Sequence, residues 1–188
     1  MNKTLIIILV VIAVLGLWAV SLNNQLVALH EGCRTAWAQV ETVLQRRYDL
    51  IPNLVSTVKG YAAHEKGILE DVTRLRSQWA GAKTTEEKAQ AATQLEGALG
   101  RLLLVAENYP DLKASANFRD LQYELAGTEN RIAVERQRYN DTLRAYNIKV
   151  QQFPASIIAG LRGYAPSKAY FEANPAAKEA PKVDFGAK

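Results

Sequence analysis

An uncharged apolar run from Leu5 to Leu22, LIIILVVIAVLGLWAVSL, constrains this chain more than any other feature. Its 18 residues hold one hydroxyl, Ser21, and no ionisable group. A helix of that length rises about 27 Å, close to a bilayer core of about 30 Å. No polar position recurs at helical spacing, as the core helix of a water-soluble domain would need. Ala19-Val20-Ser21 is a poor cleavage sequence, and the run is long for a signal peptide. Residues 1–22 are therefore expected to form an uncleaved transmembrane anchor, in contact with membrane lipid through residues 5–22. Trp18 stands near its far end, where an amphipathic ring favours the membrane interface. Lys3 precedes the run, and Glu31 and Arg34 cancel after it. The positive-inside rule then keeps the N-terminus in the cytoplasm and sends the bulk to the extracytoplasmic side, on the strength of one lysine.

The remainder reads as helix. Overall the chain is 48% apolar and 22% charged, which excludes wholesale disorder. Residues 23–80 carry an 11-residue repeat, with Leu22, Cys33, Leu44 and Val55 in one register, Leu26, Trp37 and Tyr48 in a second that fails at Lys59, and Leu29, Val40, Ile51 and Ala62 in a third. Eleven residues in three turns keep such a stripe on one face, so a single long helix is expected. Pro52 lies inside it and is expected to kink the helix without dividing it, since RRYDLIPNLV offers no glycine or polar loop. GAKTTEE (81–87) breaks the pattern, and Thr84 with Glu87 forms a capping box for a second helix reaching about Glu107. A third helix is expected over 118–153, where Phe118, Leu125, Ile132, Tyr139, Tyr146 and Phe153 recur every seven residues. Ile157, Ile158 and Leu161 suit a short terminal helix with Pro154 at its first position.

The expected fold is all-α: an N-terminal transmembrane helix, then an antiparallel bundle of three long helices plus a short C-terminal helix. Its expected divisions are an anchor over 1–22, a bundle over 23–165 and a flexible tail over 166–188. In that tail Val183 and Phe185 form an apolar spot that suits a docking peptide.

Several motifs resemble one family. RRYDLIPNLV with VKGYAAHE (46–65), YPDLKA (109–114), NFRDLQYEL (117–125), TENRIA (128–133), Tyr139-Asn140, Tyr146-Asn147 and FPASIIAG (153–160) occur in the order seen in LemA family proteins. Glu135-Arg136 departs mildly, since an alanine commonly precedes that arginine. The resemblance implies a bacterial protein with one N-terminal membrane helix and an antiparallel helical bundle, for which no enzymatic activity is established. It also implies TPM-domain membrane proteins as partners, because relatives are often encoded beside them, and one relative occurs among magnetosome membrane proteins.

The residues themselves argue against catalysis. His64-Glu65 begins an HExxH zinc motif, but Ile68 stands where the second histidine belongs. Neither His30 nor His64 has a glutamate three residues upstream, as a di-iron bundle requires. A P-loop is absent from the sequence. Cys33 is the single cysteine and lies on the apolar stripe, which suits a structural thiol. Basic and acidic residues are interleaved, so no nucleic-acid partner is expected. No cofactor and no metal are expected either. An enzyme would have only carboxylates such as Glu124 or Glu129 to work with.

Two groups of residues remain as candidates. Arg46, Arg47 and Asp49 before Pro52, with Glu129, Asn130 and Arg131 in mid-helix three, are either solvated faces or a partly buried polar layer that sets helix register, with Arg47 and Glu129 as one pairing. Leu26, Leu29, Cys33, Trp37 and Val40 share a face of the first helix. If helix one runs to residue 80, that face lacks intramolecular partners unless the 108–117 connection lets helix three cover it. It is then a homo-oligomer interface. The reading that follows is a membrane-anchored, non-enzymatic scaffold that self-associates; the alternative is a sensor or adaptor domain that binds a peptide or small ligand. Intact-mass measurement of the protein recovered from membranes should find residues 1–22 retained, and a mature start after Ser21 would remove the anchor.

Overall fold

The computed structural model describes residues 3–171 and contains helices and connections, with no strand among those residues. In chain order the helices are α1 (Lys3–Tyr61), α2 (Lys66–Gly81), α3 (Thr85–Ala106), α4 (Pro110–Ala114), α5 (Ala116–Gln151) and α6 (Ala155–Arg162). They build two compact units: one from the chain up to Val43 with Asn130–Lys168, the other from Leu44–Glu129 with the chain from Ala169.

In the first unit α5 runs antiparallel to α1. The Trp37 and Tyr139 rings meet edge-on at 5.4 Å, and the His30 and Tyr146 rings lie 5.8 Å apart. Between them the Thr142 methyl comes within 3.6 Å of the space above Gly32. Leu22, Leu26 and Val40 of α1 are buried, as are Ile132, Tyr139, Leu143, Tyr146 and Val150 of α5 and Ala155 and Ala159 of α6. Gly163 ends α6 at φ 74°, a left-handed conformation that glycine adopts without a Cβ clash, and the Tyr164 amide donates back to the Ala159 carbonyl at 2.9 Å. The chain beyond is strapped to α5. Tyr146 Oη donates to the Ala165 carbonyl at 3.1 Å, Asn147 Nδ2 donates to the Ser167 carbonyl at 2.7 Å, and the Ser167 amide donates to Asn147 Oδ1 at 2.9 Å.

The second unit packs the upper part of α1, the helices α2 to α4 and the start of α5. α1 passes through Pro52 without interruption. Proline has no N–H, so the helix leaves the Tyr48 carbonyl without its usual donor. Arg76 of α2 fills the gap, its Nε donating to the Tyr48 carbonyl at 3.1 Å. The Tyr48 and Trp79 rings stack nearby with centroids 4.0 Å apart. Thr84 caps α3 as its sequence implies: Thr84 Oγ1 accepts from the Glu87 amide at 3.1 Å, while the Glu87 carboxylate accepts from the Thr84 and Lys83 amides at 3.2 and 2.8 Å. Those two amides hold the Glu87 carboxyl below the usual carboxylate range.

The fold departs from expectation in three places. Helix one does not continue to residue 80: it ends at Tyr61, and a four-residue turn leads into α2. Gly60 and Gly67 flank that turn and weaken helix on either side, while Glu65 N–H donates to the Ala62 carbonyl at 3.1 Å. Ala62 itself is buried, so the apolar stripe runs into the turn and gives no phase signal there. The second departure is at the end of helix three. α5 stops at Gln151, Pro154 caps α6 instead of sitting inside it, and Phe153, the last heptad residue, is exposed. Third, the packed chain continues past residue 165, because Ala169 and Phe171 are buried. The tail residues Val183 and Phe185 lie outside the described residues.

Two measurements follow. Arg76→Met should destabilise the protein by about 1–2 kcal/mol in denaturant titrations, the cost of an unsatisfied buried carbonyl; combining it with Pro52→Ala, which restores the missing N–H, should recover most of that loss. Thr84→Ala should cost about 1 kcal/mol through the lost cap. Because the folded Glu87 pKa is depressed, its contribution is present above the unfolded value of about 4.3 and disappears as pH falls through the folded one. Glu87→Gln should therefore lower the melting temperature at pH 7 and leave it unchanged at pH 2.

Candidate functional site

The polar residues around Pro52 resolve into one partly buried pair and a set of surface contacts. Arg47 lies on the buried stripe of α1 with Leu44, Tyr48 and Ile51. Its Nη1 donates to Glu129 Oε2 of α5. The Arg47 side chain is 10% exposed and that of Glu129 40% exposed, so the carboxylate closes the pair from its solvent edge. A guanidinium so placed needs its counter-charge, since an uncompensated buried charge is strongly destabilising. Beside it Arg46 Nη2 reaches Glu124 Oε2 at 3.2 Å with both side chains half exposed, a pair worth little by itself. Asp49 accepts from Gln45 at 2.7 Å on the surface. Asn130 and Arg131 are exposed. The expected six-residue layer therefore reduces to Arg47 and Glu129, flanked by one surface ion pair.

In the first unit, His30 sits among aromatic rings, 5.8 Å from Tyr146 and 5.2 Å from Tyr164. Cys33 lies one turn further along α1. Burial pushes its thiol up, away from the thiolate that nucleophilic or metal-binding chemistry needs. Burial likewise raises Tyr146, with Cys33 and Tyr164 adding to the effect. Among the described residues, no group of three or more His, Cys, Asp or Glu side chains is placed to hold a metal ion. His64 is exposed in the turn after α1. The Glu65 carboxylate beside it accepts from Tyr109 Oη at 3.0 Å, and this bond raises the tyrosine pKa.

The face expected to join copies of the chain is largely covered by the chain itself. Leu26 and Val40 are fully buried, Trp37 packs on Tyr139, and Leu29 and Cys33 are partly buried. The reason is the turn at 62–65. It adds one reversal of chain direction, so α5 returns antiparallel to α1 and covers the face that an uninterrupted helix to residue 80 would have left bare. Leu26 and Val40 are core positions of the first unit, and Leu29, Cys33 and Trp37 stay partly exposed at its edge.

The same turn creates a feature with no clear signal in the sequence. In the second unit, a groove of about 620 Å³ lies along the end of α1 and the start of α2, lined by Val55, Ala63 and Leu69 and edged by Lys59, Lys66 and Arg74 together with Glu70. Only the position of the turn could have revealed it.

The apolar run forms the first part of α1. Its large side chains from Leu5 to Val20 are exposed, Trp18 among them. The most apolar 18-residue window has a mean hydropathy of 3.1 and is 6% buried, unlike the core helix of a soluble domain. By length and composition, this is the one helix among the described residues fit to cross a membrane. With the anchor-like helix, the capped bundle and the Arg47–Glu129 pair in place, comparison with known proteins decides the family. The LemA family model matches residues 36–185. The chain belongs to the LemA family. Among curated LemA relatives, magnetosome protein MamQ 2 of Paramagnetospirillum magneticum is 26% identical, over 81% of this chain and 65% of its own length. Magnetosome protein MamQ of Magnetospirillum gryphiswaldense is 25% identical with the same coverage. Protein LemA of Metamycoplasma hominis is 23% identical over 73% of this chain and 63% of its own. The chain thus spans a little under two thirds of the length of these relatives. Family membership and the exposed apolar helix together mark a membrane-associated LemA protein.

A double-mutant cycle should expose the central pair. Glu129→Gln alone should cost about 1–3 kcal/mol by leaving Arg47 buried without its counter-charge. Arg47→Met with Glu129→Gln should be less costly than the sum of the single changes, with a coupling of about 1–2 kcal/mol; strict additivity would show that the two side chains do not act as a pair.

Proposed function

We propose that this LemA protein is a non-enzymatic, membrane-anchored helical scaffold. The observation that carries this reading is α1: one helix holds an exposed, uncharged stretch over residues 5–22 and, past Leu22, a buried stripe that builds the core. A rigid connection of this kind holds a folded surface at a set distance from the bilayer. The raised Cys33 thiol and the presence of only two histidines support a role in assembly over turnover. The likeness to proteins named for the magnetosome supports a place among proteins that organise membranes. With the juxtamembrane face covered, self-association falls to the exposed span, whose neighbours in the bilayer are copies of the chain or a membrane protein such as one with a TPM domain. The bundle is assigned to the extracytoplasmic side by the single Lys3.

A second reading, an adaptor that binds a peptide, is favoured by the groove beside the 62–65 turn. Its apolar floor suits an amphipathic segment, and Lys59 and Lys66 at its edge favour one that carries acidic residues, although Glu70 also lines it and Arg74 is paired with Asp71.

Single-molecule photobleaching of the full chain in native-membrane nanodiscs should count more than one copy per particle, or one copy with a co-purifying membrane protein. Single copies alone at native density would overturn the scaffold reading. Lys59→Glu with Lys66→Glu, both exposed at the groove edge, should leave that count unchanged while abolishing capture of an acidic peptide if the adaptor reading holds.

A further inference from the structure

The first unit contains an apolar surface that the anchor and the core do not account for. Phe153, just before α6, is 78% exposed, and Ile157 and Leu161 on α6 are 57% and 82% exposed. The spacing of four residues keeps Ile157 and Leu161 on one stripe of the helix. Ala155 and Ala159 are the buried side, their small side chains allowing α6 to lie close against its unit. Large apolar residues scattered singly on a surface are ordinary, but three gathered at one end of a unit mark a contact surface.

The pairing of α1 with α5 says where that end lies. Trp37 faces Tyr139 and His30 faces Tyr146, so seven residues back along α1 correspond to seven forward along α5. Five more bring Gln151, the last residue of α5, level with Gln25, only three residues past the end of the apolar run. Phe153 and the start of α6 follow immediately, and just past the end of α6 the chain is back at the level of His30, whose ring lies 5.2 Å from that of Tyr164. Leu22 and Leu26, the α1 residues at this level, are buried. Lys149 stands in the last turn of α5 and Arg162 in the last turn of α6, cations suited to lipid phosphates.

We propose that α6 and Phe153 form a second membrane contact, an amphipathic foot that places Phe153, Ile157 and Leu161 in the headgroup–acyl boundary beside the span. The occupant of this face is the lipid surface itself, because the face is continuous with the level at which α1 leaves hydrocarbon. The inference rests on residues 5–22 spanning the bilayer. Such a foot fixes the unit against rotation about the span and wedges the outer part of one leaflet, which gives a scaffold a direct means of acting on membrane shape.

The test uses the full chain in a Cys33→Ser background, reconstituted in phosphatidylethanolamine–phosphatidylglycerol vesicles. Single cysteines from Phe153→Cys, Ile157→Cys or Leu161→Cys carry an environment-sensitive fluorophore, and lipids with nitroxides at defined acyl depths act as quenchers. Val14→Cys reports the span, and Tyr123→Cys, at an exposed site of the second unit, reports water. All five positions are exposed, so the label displaces no core side chain. The labels at 153, 157 and 161 should be blue-shifted and quenched most by shallow nitroxides, at a depth of about 5–10 Å, while the label at 123 is neither. Quenching at 14 with water-like labels at 153, 157 and 161 overturns the foot and leaves the anchor standing. No quenching at 14 overturns both. A blue shift at 157 and 161 without lipid quenching means that protein covers the face, which also overturns the assignment.

Discussion

The described structure depends on one uninterrupted helix, α1, which joins an exposed apolar run to a buried stripe. From Leu5 to Val20, α1 exposes apolar side chains; from Leu22 to Tyr61 it buries a stripe. In hydrocarbon a helix must satisfy its own backbone groups, and it does so with the same hydrogen bonds that continue into the core. No glycine or proline occurs between Gly16 and Gly32, so the passage from one solvent to the other has no built-in hinge. Burial of the α1 stripe begins at Leu22 and Leu26, where the apolar run ends.

Two repairs let that helix act as a core element. Pro52 removes a backbone donor in the middle of α1, and Arg76 supplies one from the neighbouring helix. Arg47 carries a charge into the buried stripe, and Glu129 neutralises it. Both repairs use arginine, whose several donors reach a carbonyl or a carboxylate from a fixed plane. Each ties α1 to a different partner, α2 in one case and α5 in the other.

Much of this was legible in the chain. The apolar run, the Thr84–Glu87 capping box, the heptads from Phe118 to Tyr146 and continuity through Pro52 follow from local chemistry, and the structure has all of them. The turn at 62–65 was not legible, because Ala62 keeps the apolar period running and its flanking glycines are too few to announce a break. That one omission reverses the direction of every later helix in a sequence-based topology. It is why Leu26, Leu29, Cys33, Trp37 and Val40 read as a bare interface when α5 in fact covers most of that face. Phe153 shows the converse: its heptad position predicts a core residue, but the helix ends two residues earlier and turns it outward.

By itself the amino-acid sequence determined that this chain is helical, that its first segment prefers lipid, and where most of its helices start and stop. These are properties of neighbouring residues, whose period, caps and charge act within a turn or two. Only the tertiary structure decided which faces are covered, which two of six polar residues form the buried pair, and which apolar side chains remain exposed on and beside α6. Those outcomes depend on the direction in which each helix returns, and a single short turn between helices sets that direction without leaving a strong pattern in the residues that form it.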